Sequence, residues 1–406
     1  MLKAATGYST QADAEKAGRE AVAMASAGLG QAKAAFVYFS NAYDAGKLLK
    51  GLKTGLPDTP LIGCSACQGV IVPEGFIGGE HFIGLLALED DSLKMYTGAM
   101  QFERSDSADE WQDFSIGTLR FDDNPVQTAV RAVEQVRRRS GCKERPSFFY
   151  FTSPPGMEEF YLQGVASAIG RAPFAGATAA DSRLGTDWVL LTEAGPQYDG
   201  LALAFFYGEH VPTTHFSSPY RSSGDFRMIT KMKGTRCLVE IDDRPALQVI
   251  ADLYQCPVQL LRGGDLSLAS PLSPIGVRDC SGDFIRICHP QYGNPDDSIF
   301  LGSPVYEGTA LSHMECTEDD LVLSCGNELK SLRNKLGGQA GAFHLAMNYT
   351  WHMAAYDRFD ELVDNLLKAA EDVPFLCGLT NGEHGFRGDS ANICGGLMMS
   401  GLGFPA

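Results

Sequence analysis

One pattern recurs three times and limits the fold more than any other feature. It is a short apolar strand, a helix, and a second strand that opens on proline and runs into glycine and a hydroxyl. Phe36-Val37-Tyr38-Phe39 leads through a helix to Pro60-Leu61-Ile62-Gly63-Cys64-Ser65-Ala66, and Phe148-Phe149-Tyr150-Phe151 leads likewise to Pro173-Phe174-Ala175-Gly176-Ala177-Thr178-Ala179. In both, the glycine follows the proline by three positions and the hydroxyl follows the glycine by two. In the third copy, Pro374-Phe375-Leu376-Cys377-Gly378, the glycine comes one position later. We read an approximate internal repeat.

The third copy is the clearest. From Ala342 to His352, Phe343, Leu345, Met347, Tyr349 and Trp351 alternate with His344, Asn348, Thr350 and His352, which predicts a strand with an apolar and a polar face. Tyr356 to Ala370 carries an apolar stripe at helical spacing, and Cys377 to Gly385 reads as a glycine-rich loop at a strand end, where ligands are commonly met. Elsewhere Thr10 is placed to cap a helix with Asp13 completing a capping box, and Asn124-Pro125 opens another helix. Gly78 to Leu88 supplies a strand expected to pair with its predecessor, and Trp188–Thr192 with Leu201–Phe206 reads as a hairpin. The fold expected is α+β, with mixed, largely antiparallel β-sheets flanked by helices in αββα-like layers and two related halves. The halves are residues 1–220 and 221–406, with the boundary in the Ser-, Pro- and Gly-containing segment from Thr213 to Lys233.

With 406 residues, 44% hydrophobic and 20% charged, the chain can bury substantial cores. A net charge of −17 opposes nucleic acid or an anionic membrane surface as partner. No signal-peptide segment opens the chain and no run of about 18 apolar residues occurs, so a cytoplasmic protein is expected. Eleven cysteines in apolar contexts fit reduced, buried thiols.

Cys64 and Cys67 have thiol–disulfide spacing, but a single pair closes no zinc site. His344 and His352, on one predicted strand face, are the candidate haem ligands, and no Cys-x-x-Cys-His occurs for covalent attachment. Hydrolase and P-loop signatures are missing. Glu383 and His384 beside Asp389 suggest an acid–base set but fit a self-satisfied loop better, so no catalytic set is recognised and no enzyme is expected.

Leu61-Ile62-Gly63-Cys64-Ser65, Phe174 to Asp181, Val239 to Leu247, Glu307-Gly308 and Asn381 to Gly385, taken in order, resemble the FIST family of sensory domains. The resemblance gives the two halves as amino-terminal and carboxy-terminal FIST domains of a free-standing bacterial type. It implies cytoplasmic binding of a small molecule in signal transduction, without an established catalytic set, and no cofactor or metal is expected. Ala346-Met347-Asn348-Tyr349 stands where a Cys-Gly-Arg-like signature is often seen. The ligand site expected at the glycine-rich strand ends between the halves comprises Cys64, Ser65, Thr178, Asp181, Asn381, Glu383 and His384, and the resemblance together with this mixture of side chains implies an amino-acid-like ligand. Two alternatives stay open: a haem-binding nitric-oxide sensor, as in some relatives, or a scaffold that docks a histidine kinase or other signalling protein.

Overall fold

A computed structural model describes residues 1–102, 124–182, 187–208, 211–267, 271–278, 284–386 and 392–406. The chain opens with β1 (Lys3–Ser9), α1 (Ala14–Ser26), β2 (Ala34–Ser40), α2 (Ala45–Leu52), β3 (Leu61–Ala66), the hairpin β4 (Gly69–Val72) and β5 (Gly75–Gly78), and β6 (Ile83–Glu89). The same order follows in β7 (Lys94–Met100), α3 (Pro125–Ser140), β8 (Phe148–Ser153), α4 (Glu158–Ile169), β9 (Phe174–Thr178), the hairpin β10 (Leu190–Thr192) and β11 (Gly195–Gln197), and β12 (Leu201–Tyr207).

After β13 (Thr213–Ser217) a separate sheet is inserted. It comprises β14 (Arg221–Lys233), β15 (Cys237–Ile241), β16 (Arg244–Pro245), β17 (Gly264–Asp265), β18 (Ile275–Arg278), β19 (Ile285–Cys288), β20 (Pro290–Gly293), β21 (Ile299–Leu301) and β22 (Ala310–Glu315). Helix α5 (Ala246–Leu253) packs on this sheet. The order then resumes with α6 (Glu318–Leu336), β23 (Ala340–Asn348), α7 (Tyr349–Ala355), α8 (Phe359–Ala370), β24 (Phe375–Thr380), β25 (Gly382–Phe386), β26 (Asn392–Gly395) and β27 (Met399–Pro405).

Three six-stranded sheets share one plan: β1-β6-β2-β3-β10-β11, β7-β12-β8-β9-β25-β26 and β13-β27-β23-β24-β4-β5. The two central strands of each are parallel and come from the three stretches singled out in the sequence. Each sheet is completed by a hairpin from another: β10-β11 joins β3, β25-β26 joins β9, and β4-β5 joins β24. The inner faces pack on one another in a common apolar interior, and two helices cover each outer face. On the interior, Phe36, Tyr150 and His344 occupy corresponding places, with ring centroids 4.2 to 5.3 Å apart.

The sheet geometry explains the recurring glycines. A Cβ on Gly63 would lie 1.7 Å from the Val37 carbonyl oxygen, and one on Gly176 would lie 2.6 Å from that of Phe151. In the third copy Gly378, displaced by one position, faces inward, where a Cβ would meet the Tyr38 ring at 2.5 Å. Backbone-to-neighbour contact thus calls for glycine in each sheet.

Several expectations are corrected. The strand from Ala342 ends at Asn348, whose side-chain oxygen accepts from Thr350 N–H (3.1 Å) and starts α7, so His352 lies on a helix and shares no strand face with His344. Both faces of β23 are buried. The helix read from Tyr356 begins at Phe359, because Tyr356 has φ +38°. Asp13, not Thr10, caps α1 and accepts from Lys16 N–H. The loop read over Cys377–Gly385 is two strands joined at Asn381. β10 turns into β11, while β12 belongs to another sheet. β6 lies between β1 and β2 rather than beside its predecessor in the chain. The segment from Thr213 to Lys233 is mostly strand, and β13 pairs with β27.

Candidate functional site

The three proline-led strands bring their ends together. Cys67 N–H donates to the Leu379 carbonyl (2.8 Å), Ala180 N–H to that of Ser65 (2.9 Å), and Asn381 N–H to that of Thr178 (3.1 Å). Each strand end donates to one neighbour and accepts from the other, closing a ring that fixes three loops at one end of the molecule.

Strand alternation sends the expected site residues in different directions. Cys64 is part of the common interior, and Glu383, opposite inward-facing Ala177, is fully buried there. The Glu383 carboxyl accepts from Thr380 O–H (2.8 Å), Met398 N–H (3.1 Å) and Asn348 Nδ2 (3.2 Å), yet burial outweighs these donors and raises its pKa well above the usual range. Burial also raises the Cys64 thiol, and it pushes Cys67 up to about 12, so neither is the thiolate that redox chemistry needs.

Ser65, Thr178 and His384 face outward. Ser65 Oγ accepts from Val189 N–H (3.1 Å). Thr178 Oγ donates to Glu158 Oε1 (3.1 Å) and lies 2.8 Å from His384 Nε2. A hydroxyl has one proton, so His384 carries its own on Nε2, and its buried Nδ1 has no partner among the described residues. Burial, helped by the Arg236 cation, pushes His384 down to about 3. Asp389 lies outside the described residues.

Asp181 is buried and accepts from Asp187 N–H (3.3 Å), placing it behind the wall of an open cleft of about 600 Å3. Asn41, Gln68, Phe76, Glu80, Asp187 and His352 are among the residues lining it. Asn41, Gln68 and Glu80 were missed in the sequence because they follow strands rather than sit in motifs. Asn41 Oδ1 accepts from Ser182 N–H (3.2 Å), and its Nδ2, a donor, makes no hydrogen bond among the described residues. His352 stacks on Phe76 (5.5 Å) and meets Phe359 edge-on (4.2 Å), and burial lowers its pKa.

The haem alternative does not fit the proposed pair. A macrocycle needs an empty slot beside its ligand, and His344 is instead packed among Phe36, Tyr38 and Tyr150 at 4.2 to 5.3 Å. His352 is on a separate element. Among the described residues no three His, Cys, Asp or Glu side chains are grouped to hold a metal, and no helix is long and apolar enough to cross a membrane.

No curated protein matches the chain. Among solved structures, the cyanuric acid hydrolase from A. caulinodans is 11% identical over 100% of both chains, with a TM-score of 0.33. PurLQS from Thermotoga maritima is 10% identical over 99% of this chain and 72% of that one, with a TM-score of 0.23. Scores this low carry no structural or functional argument. The FIST N domain matches residues 33–244, which run from β2 of the first sheet unit through the second and into the inserted sheet. On that match the chain belongs to the FIST family, a family of sensory domains.

Proposed function

We propose that this chain is the ligand-binding sensory module of a signal-transduction protein, and that it holds a small amino-acid-like amine in the cleft beside the strand ends. The observation that carries this reading is the make-up of the cleft, where the Glu80 and Asp187 carboxylates stand with the Asn41 and Gln68 amides and the Phe76 and His352 rings. Carboxylates suit an ammonium group, amides a carboxylate, and the rings an apolar side chain. None of the described residues lining the cleft is Lys or Arg, so the field disfavours a purely anionic ligand.

Binding rather than catalysis is supported by the burial of Cys64, Glu383 and His384 away from solvent. A ligand that orders the cleft shifts the population of strand-end conformations, and a histidine kinase or other signalling partner reads that shift.

The test is a thermal-shift and calorimetric screen of the purified chain against the proteinogenic amino acids, simple amines and simple carboxylic acids. At least one amino acid is expected to raise the melting temperature by a few degrees. Glu80→Gln with Asp187→Asn should weaken its binding roughly fivefold to tenfold, the scale of two solvent-screened charges. No response to any amino acid or amine would remove the reading.

A further inference from the structure

Gln68 has φ +65°, a left-handed backbone that a non-glycine residue adopts at a cost. The conformation is built in: Gln68 forms the turn between β3 and β4, where Gly69 N–H reaches back to the Cys67 carbonyl (2.8 Å) and Gly79 N–H donates to that of Gln68 (3.2 Å). Glycine would satisfy this turn without strain. Among the described residues the Gln68 amide makes no hydrogen bond. It lines the cleft instead, together with the Glu80 and Asp187 carboxylates and the Asn41 amide.

Gln68 also occupies a privileged place in the ring of strand ends. Cys67, Ala180 and Asn381 are the three ring donors, so the residues that follow them, Gln68, Asp181 and Gly382, correspond. Two of the three positions thus carry a polar side chain at or just behind the cleft, and the third carries glycine.

We propose that Gln68 is a specificity-determining residue whose amide N–H donates to the carboxylate of an amino-acid ligand. It thereby separates amino acids from amines that lack the carboxyl group. This inference rests on the amino-acid reading above and deepens it. The Gln68 amide and Asn41 Nδ2 supply uncharged donors for the ligand's anionic end, while the rim carboxylates take its cationic end. A site built to bond a particular polar group rejects the analogue without it, because the site's own groups are then left unpaired.

The experiment compares wild type with Gln68→Gly, using L-leucine with 3-methylbutylamine and L-phenylalanine with 2-phenylethylamine as probes, by calorimetry and thermal shift. Gln68→Gly should keep or raise the ligand-free melting temperature, by roughly 1–3 °C, because strain is relieved. Binding of the amino acid should weaken about tenfold, while that of the matching amine stays within about twofold. An amino acid that binds both proteins equally would overturn the role of Gln68 and leave the amino-acid reading standing. Where wild type binds neither pair, the amino acid that responds in the screen above and its decarboxylated amine take their place, and a wild type that binds no amino acid or amine at all would overturn both. A variant that loses amino acid and amine in the same proportion would show a general wall effect and overturn the carboxylate contact.

Discussion

Glu383 shows how far a single side chain can depart from the role its sequence neighbourhood implies. It sits in a polar, glycine-containing segment, yet alternation along β25 turns it into the interior, where three donors answer it and, among the described residues, no cation does. Burial dominates and its pKa rises, so the unfolded chain gives up this proton first as pH increases from the ordinary value of 4.5. Stability that is fully present below that value is therefore lost as pH rises toward the folded-state pKa, at about 1.4 kcal/mol for each unit of separation. Glu383→Gln removes this dependence but turns an amide N–H2 toward Met398 N–H or Asn348 Nδ2, at a cost of about 1–3 kcal/mol. Urea unfolding at pH 5 and pH 8 should find the variant less stable at pH 5, with the deficit shrinking by pH 8. A deficit that stays constant from pH 5 to pH 8 would mean that the three donors hold the carboxylate ionised across this range.

Between elements, a buried ion cluster ties the inserted sheet to α4, besides the apolar contacts of Ile287 and Met314 with the third unit's core. Arg236, just before β15, donates to Glu158 Oε2 (2.8 Å) and Glu159 Oε2 (2.6 Å) at the start of α4, and to the Gly302 carbonyl (2.7 Å). The guanidinium is only 3% exposed and the two carboxylates 6% and 10%. Removing the cation leaves two buried anions, so Arg236→Met should cost about 3–5 kcal/mol in chemical unfolding. Arg236→Lys, which keeps the charge but loses the fork, should fall between wild type and Arg236→Met. Hydrogen exchange should speed up in β15 before it does in β8, because Arg236 joins the insert to α4. Elements were legible where their signals are local: Asn124-Pro125 starts α3 as read, with Gly141 at φ +66° closing it. The Ala342–His352 alternation misled because Tyr349 and Trp351 continue a two-residue period through the cap at Asn348. The cleft was illegible for a related reason, since Asn41, Gln68, Glu80 and His352 lie far apart in the chain and only sheet pairing assembles them. Which hairpin completes which sheet is likewise a tertiary choice that no local pattern encodes.

At the scale of the whole molecule, the exchange of hairpins makes the three sheets mutually dependent. β4 and β5 belong by sequence to the first unit but pair with β24, β25 and β26 follow β24 but pair with β9, and only β10 and β11 pass between the first two units. Cutting at residue 220 would strand β4-β5 and expose the unpaired edge of β9, and it would separate β13 from β27. It would also open the common interior, to which Phe36, Tyr38, Tyr150, Leu376 and Phe404 all contribute. Fully burying one such large apolar side chain is worth about 1.5–3 kcal/mol, so exposing several is comparable with the whole of the usual margin of about 5–15 kcal/mol. Residues 1–220 and 221–406, expressed separately, should each fail to give a cooperative thermal transition, and co-expression should restore one transition at or slightly below that of the intact chain. If residues 1–220 melt cooperatively alone, the first two sheets do not need the third unit's strands. The ring of strand ends could then not relay a ligand's presence from the cleft to the rest of the body.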